Sequence, residues 1–170
     1  MDIQILKTIK EAHKSIGLTV FIDVFRAFST ECYIMANNAD KIIPVDDINL
    51  AYKLKKENPD FILMGEREGK KQKHFDYGNS PTEIEYVDFT GKTVIHTTSS
   101  GTQGIMRSKN ADEIITGSFV NLQAVVDYIK TRKPENLTLL CTAPTSVEDE
   151  NEDTLCADYI VSSLYNKGLN

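Results

Sequence analysis

Apolar and polar positions switch between two periods along the chain. Ile3, Leu6 and Ile9 recur at helical spacing, which predicts an amphipathic lead helix over residues 2–14. Leu18-Thr19-Val20-Phe21-Ile22 is an unbroken apolar, β-branched run, the pattern of a strand buried on both faces. Residues 29–38 read as a helix with Ser29 or Thr30 as N-cap. Lys41-Ile42-Ile43-Pro44-Val45 reads as a short strand whose proline suits an edge or a strand end. Asp46 or Asp47 caps a helix over 48–57 that Pro59 stops, and Phe61-Ile62-Leu63-Met64 is a third strand.

An irregular stretch, 65–90, follows, and loops of that length in a short chain tend to be functional. Then come a strand at 92–97, a short helix at 102–109 and the strand Glu113-Ile114-Ile115-Thr116. Leu122, Val125, Val126 and Ile129 mark a further helix, residues 137–141 a sixth strand, and residues 153–166 a last helix with Gly168 as its stop. This alternation predicts a layered α/β/α fold with a mainly parallel sheet, whose strand order the pattern does not reveal. With 170 residues and no linker or repeat, one domain over 1–170 is expected.

Composition narrows the partners. A net charge of −6 argues against broad nucleic-acid or anionic-membrane binding, because phosphate backbones reward concentrated positive charge. No apolar run reaches the roughly 20 residues of a bilayer span, and Met1-Asp2-Ile3-Gln4 does not open a signal peptide, so a cytoplasmic protein is expected. Three cysteines without close spacing do not form a disulfide framework or a zinc knuckle. Arg67, Lys70, Lys71 and Lys73 crowd one loop, which is either a solvated surface or a local attraction for a small anion.

Parallel sheets bind ligands beyond the carboxyl ends of their strands, and there the unusual residues gather. The first strand runs into Asp23-Val24-Phe25-Arg26, the third into Gly65-Glu66-Arg67 and the fourth into Thr97-Thr98-Ser99-Ser100-Gly101-Thr102. The last strand ends at Cys141. The hydroxyl-rich turn before a helix suits an oxyanion, or is a plain turn with Ser100 or Thr102 as N-cap. Arg26 and Arg67 suit phosphate or sulfonate oxygens, or pair with Glu31 and Glu66. A carboxylate at the end of an apolar strand is costly unless solvated, paired or metal-bound, which singles out Asp23. Asp76, Glu66 and Asp153 are further candidate ligands for Mg²⁺. His96 inside its strand reads as a packed core residue, as do Cys32 and Cys156, while Cys141 at the rim has a reactive alternative.

Taken together, Asp23-Val24-Phe25-Arg26-Ala27, Gly65-Glu66-Arg67, Phe75-Asp76-Tyr77-Gly78-Asn79-Ser80-Pro81, the 97–102 turn, Gly117-Ser118 with Asn121, and Glu152-Asp153 with Cys156-Ala157 resemble the 2-phosphosulfolactate phosphatase family. The order and spacing match from about residue 16 to residue 160, and Phe-Asp-x-Gly-Asn-Ser-Pro is the most distinctive block. The resemblance implies a Mg²⁺-dependent phosphoric monoester hydrolase. It would convert 2-phospho-3-sulfolactate, a small polyanion, to 3-sulfolactate and phosphate on the route to coenzyme M or sulfolactate.

On that reading Asp23, with Asp76 or Asp153, holds Mg²⁺, and Arg26 and Arg67 neutralise charge. The turn containing Thr98, Ser99, Ser100, Gly101 and Thr102, with Cys141, contacts the substrate, while Asn79 and Ser80 orient it. Water activated by the metal or by Glu66 attacks phosphorus, with a phosphorylated Asp23 or Cys141 as alternatives. Two departures from the family are visible: Ala143-Pro144-Thr145-Ser146 replaces a glycine-rich turn, and family members continue well past this length. A short member would either complete its site by homo-oligomerising or be one that has lost activity. The rival functions are a non-catalytic binder of a phosphorylated or sulfonated acid, and a phosphatase for another small ester.

Overall fold

The apolar run at 18–22 becomes β2 (Gly17–Ile22), a strand bonded on both sides and buried over almost its whole length. The computed structural model describes residues 1–142 and 151–165. Around β2 lie β1 (Asp2–Leu6), β6 (Ala111–Gly117) and β7 (Asn136–Cys141), in the order β1-β7-β2-β6. A second sheet holds β3 (Lys41–Pro44), β5 (Thr93–Thr97) and β4 (Ile62–Gly65), in the order β3-β5-β4. Every strand pair in both sheets is parallel. The expected layered α/β architecture with parallel pairing is therefore present, with its strands divided between two sheets.

Six helices connect and cover the strands among the described residues: α1 (Ala27–Ala36), α2 (Ile48–Glu57), α3 (Pro81–Ile84), α4 (Gly101–Arg107), α5 (Leu122–Arg132) and α6 (Glu152–Leu164). Leu18, Val20 and Ile22 on one face of β2 pack with Val125, Val126 and Ile129 of α5 and with Cys156 and Ile160 of α6. Phe21 on the other face packs with Phe28 at the start of α1. Further along the same helix, Ile34 joins Met64 and Val94 of the second sheet. Thus α1 is shared by both sheets, while α2 covers the opposite face of the second one through Ala51, Leu63 and Ile95. The strand period of two sends neighbouring residues to these opposite faces.

The lead helix expected over 2–14 is not formed. Residues 2–6 are β1, paired along its length with β7, and only Ile9–Lys14 coil, as a 3₁₀ segment burying Ile9 and Ala12. A three-residue spacing of apolar positions over so short a segment fits either state, and the pairing with a distant strand decides it. The 65–90 stretch is more ordered than an irregular loop: Gly65 N–H bonds to the Tyr77 carbonyl, and Asp76 N–H to that of Leu63. Pro81 opens α3, with Ser80 at its N-cap position. The α2 helix runs over the expected residues, and the Asp47 carboxylate accepts the Asn49 N–H at 2.8 Å. The Ala143-Pro144-Thr145-Ser146 turn and Gly168 lie outside the described residues. Among the described residues no helix is long and apolar enough to cross a membrane.

Candidate active site

The carboxyl ends of β2, β4 and β5 face one another where the two sheets meet around the start of α1. A cleft of about 210 Å³ opens there, lined by Asp23, Phe25, Arg26, Glu66, Glu68, Gly69, Asn79, Ser99 and Ser100. These residues come from four separate stretches of the chain.

Asp23 is the first residue past β2, and its carboxylate accepts the Ala27 N–H at 3.0 Å in the opening turn of α1. Burial is the main reason its carboxyl titrates above the ordinary range; the Ala27 N–H, Thr142 and the charge of His96 pull the other way. Asp153, in the first turn of α6, accepts Val24 N–H at 2.8 Å and Thr142 N–H at 3.3 Å. It thereby ties α6 to the segments that leave β2 and β7. Burial, augmented by the Asp23 charge, pushes its carboxyl up to about 7. Gly101 lets α4 approach this group, because an added methyl there would stand 3.3 Å from Asp23 Oδ2 and 3.1 Å from Ala27.

On the facing wall, Gly65 turns the chain out of β4 at φ 134°, where a side chain would strike the Thr97 carbonyl at 1.9 Å. The next residue, Glu66, is held by three donors: Ser99 N–H at 2.6 Å, Ser99 Oγ at 3.0 Å and Gly69 N–H at 2.7 Å. Arg67 and Lys70 exchange both backbone hydrogen bonds across Glu68 and Gly69, whose φ values of 53° and 75° are what a tight two-residue hairpin requires. This hairpin carries Glu68 and Gly69 to the cleft. Neither residue is conspicuous in the sequence, where the cationic side chains of the same loop dominate.

The Arg67 guanidinium donates to the carbonyls of Glu66 at 2.7 Å and Asp46 at 2.9 Å, and to Thr97 Oγ1 at 2.7 Å. It braces the ends of β4 and β5 and does not line the cleft. Arg26 is exposed and does line it. Thr98 and Thr102 are both buried and lock onto each other. Thr98 N–H donates to Thr102 Oγ1 at 3.0 Å, and Thr102 N–H donates to Thr98 Oγ1 at 3.3 Å. The turn therefore shows Ser99 and Ser100 to the cleft, and Gly101 packs behind them.

Asn79 reaches the cleft from the segment before α3, whereas the Ser80 hydroxyl bonds to Thr82 Oγ1 at 2.9 Å outside it. Asp76 is elsewhere: its carboxylate accepts Leu63 N–H at 2.8 Å and pairs with Lys55 at 3.0 Å, fastening its segment to β4. Cys141 is wholly buried in the core beneath α5 and α6, because the alternation of β7 turns it inward. Burial and the nearby Asp153 push its thiol up to about 12. It is thus neither at the rim nor a ready thiolate. Among the described residues no three His, Cys, Asp or Glu side chains cluster closely enough to form a metal centre by themselves.

Three carboxylates and one guanidinium line the cleft, alongside hydroxyl and amide groups. Such a surface takes a small polar guest, and an anionic one only together with a cation.

A family model described as 2-phosphosulpholactate phosphatase matches residues 3–170. A protein of Thermotoga petrophila named probable 2-phosphosulfolactate phosphatase is 43% identical over 150 residues, covering 88% of this chain and 63% of the relative. Relatives of the same name from Caldicellulosiruptor saccharolyticus and Thermoplasma acidophilum are 38% and 35% identical, over 84% of this chain and 60% and 63% of their own lengths. The chain therefore spans a little under two thirds of the length of these relatives.

Proposed function

The chain belongs to the 2-phosphosulfolactate phosphatase family, and from that premise we propose that it hydrolyses the phosphate ester of 2-phospho-3-sulfolactate with the help of Mg²⁺. The observation that carries the proposal is the meeting of Asp23, Arg26, Glu66, Asn79, Ser99 and Ser100 in one cleft at the carboxyl ends of parallel strands. Three free cysteines, two of them buried, support a reducing cytoplasmic setting.

The donor set fits a hard cation held by few protein ligands. Mg²⁺ takes one or two carboxylates and fills its remaining positions with water and substrate oxygens, and Asp23, which lines the cleft, would supply one. Asp153, whose oxygens accept Val24 N–H and Thr142 N–H and which is not part of the lining, would act through its charge. The acidic lining argues the same way, since a phosphate ester also bearing sulfonate and carboxylate would be repelled by Asp23, Glu66 and Glu68 without a counter-ion. When bound, a divalent ion supplies charge stabilisation to the transferring phosphoryl group.

The side chains divide the remaining work. Arg26, exposed at the mouth, forks onto phosphate or sulfonate oxygens. Ser100 and Asn79 donate to the substrate and fix its orientation, which phosphoryl transfer to water needs more than covalent chemistry. Glu66 already accepts three hydrogen bonds, which occupy the oxygen lone pairs that a base would turn to water. Its contribution is to hold Ser99 and Gly69 in place.

Phosphate release from 2-phosphosulfolactate, measured with Mg²⁺, with EDTA and against a panel of other small phosphate esters, tests the proposal. Release that EDTA abolishes and that favours 2-phosphosulfolactate supports it. Binding without release identifies a non-catalytic binder, and preference for another ester identifies a different phosphatase; either outcome overturns it.

A further inference from the structure

A buried polar chain runs from the middle of the fold to the cleft. His96, on the central strand of the second sheet, has no exposed surface, yet both ring nitrogens are engaged. Nδ1 lies 3.0 Å from Oε1 of Glu31 on α1, and Nε2 lies 3.2 Å from Oδ1 of Asn79 in the cleft wall. Glu31 and Asn79 are each only 8% exposed. Nδ1 and Glu31 Oε1 share one hydrogen-bonding proton, and Nε2 faces the Asn79 oxygen as a donor.

Burying such a pair is expensive, and apolar residues of similar size generally stabilise a core at least as well. The chain therefore has a use beyond packing. We propose that Glu31 and His96 are positioning residues that anchor the Asn79 oxygen inward and so present its amide N–H₂ to the cleft as a donor for an anionic substrate oxygen. Amides are easily reversed about their last bond, and only the donor end helps bind an anion. The inference rests on the reading of the cleft as an anion site and deepens it by naming what sets the polarity of one wall.

The test removes the pair whole, so that no unpaired charge is left inside. The double variant Glu31→Leu/His96→Leu should fold with a melting temperature close to that of the parent chain. KM for 2-phosphosulfolactate should rise about tenfold with kcat changed far less, the loss of roughly one hydrogen bond to a charged group. His96→Gln, which keeps a donor facing Asn79, should recover most of the loss. In the ¹⁵N-labelled parent with Mg²⁺ present, the Asn79 side-chain amide resonance, assigned through Asn79→Asp, should shift on addition of inorganic phosphate or sulfate, and in the double variant it should not. A folded double variant with parental KM overturns the inference, as does an Asn79 amide that ignores both anions in the parent. An amide that responds in a chain releasing no phosphate keeps this inference and overturns the phosphatase reading instead.

Discussion

Glu66 and Ser99 are joined twice, by Ser99 N–H to Oε1 at 2.6 Å and Ser99 Oγ to Oε2 at 3.0 Å, so that the turns leaving β4 and β5 move as one wall. Because Gly69 N–H also bonds Oε2, Glu66→Gln must aim an N–H₂ group at a donor. The expected result is a loss of about 1–3 kcal/mol of stability together with a drop in turnover. Thermal unfolding and kcat measured on the same preparation check this; a variant with parental stability but no activity would instead make Glu66 a proton acceptor.

The two arginines separate by environment. Arg26 is exposed in the cleft, so Arg26→Ala should leave the melting temperature within about a degree and reduce kcat/KM by ten- to a hundredfold, the weight of one charge-assisted contact. Arg67 braces three acceptors, so Arg67→Ala should lower the melting temperature by several degrees, with activity falling as a consequence. Equal effects on stability from both substitutions would refute the division.

How much of this was readable before any coordinates is best judged residue by residue. The buried run of β2 and the capped α2 carry their own signals, apolar continuity in one and an Asp–Pro frame in the other, and both form as expected. β1 fails because its outcome depends on pairing with β7, some 130 residues away, which local spacing does not encode. Strand-end logic brings Asp23, Arg26, Glu66, Ser99 and Ser100 to one cleft, and the family resemblance adds Asn79, but that logic treats every polar residue near a strand end as facing the ligand. Arg67 and Asp76 turn to backbone groups instead, and Cys141 turns into the core. His96 reads as core and is core; only its contacts reveal the chain to Asn79.

Acidity near Asp153 gives a prediction about stability. In the folded chain its carboxyl keeps a proton up to about pH 7, whereas an unburied aspartate loses it near 3.8. Between those values the folded state binds more protons than the unfolded one, so this contribution to stability falls as pH rises through 7 and is flat above it. Asp23 shifts in the same direction. Urea midpoints in metal-free buffer should therefore drop between pH 5 and pH 8, and Asp153→Asn should flatten the slope. Added Mg²⁺ should stabilise the chain more at pH 8 than at pH 5, because it binds the ionised carboxylates. A steeper slope in Asp153→Asn would contradict the assignment.

The most direct single test is kcat/KM for 2-phosphosulfolactate with saturating Mg²⁺ in Asp23→Asn beside the parent chain. Asparagine keeps the oxygen that accepts the Ala27 N–H and spares the fold a buried charge, so stability should hold or rise. The account predicts a fall of about a hundred- to a thousandfold in the variant, the range for loss of a main transition-state charge stabiliser. Parental turnover by Asp23→Asn would contradict it.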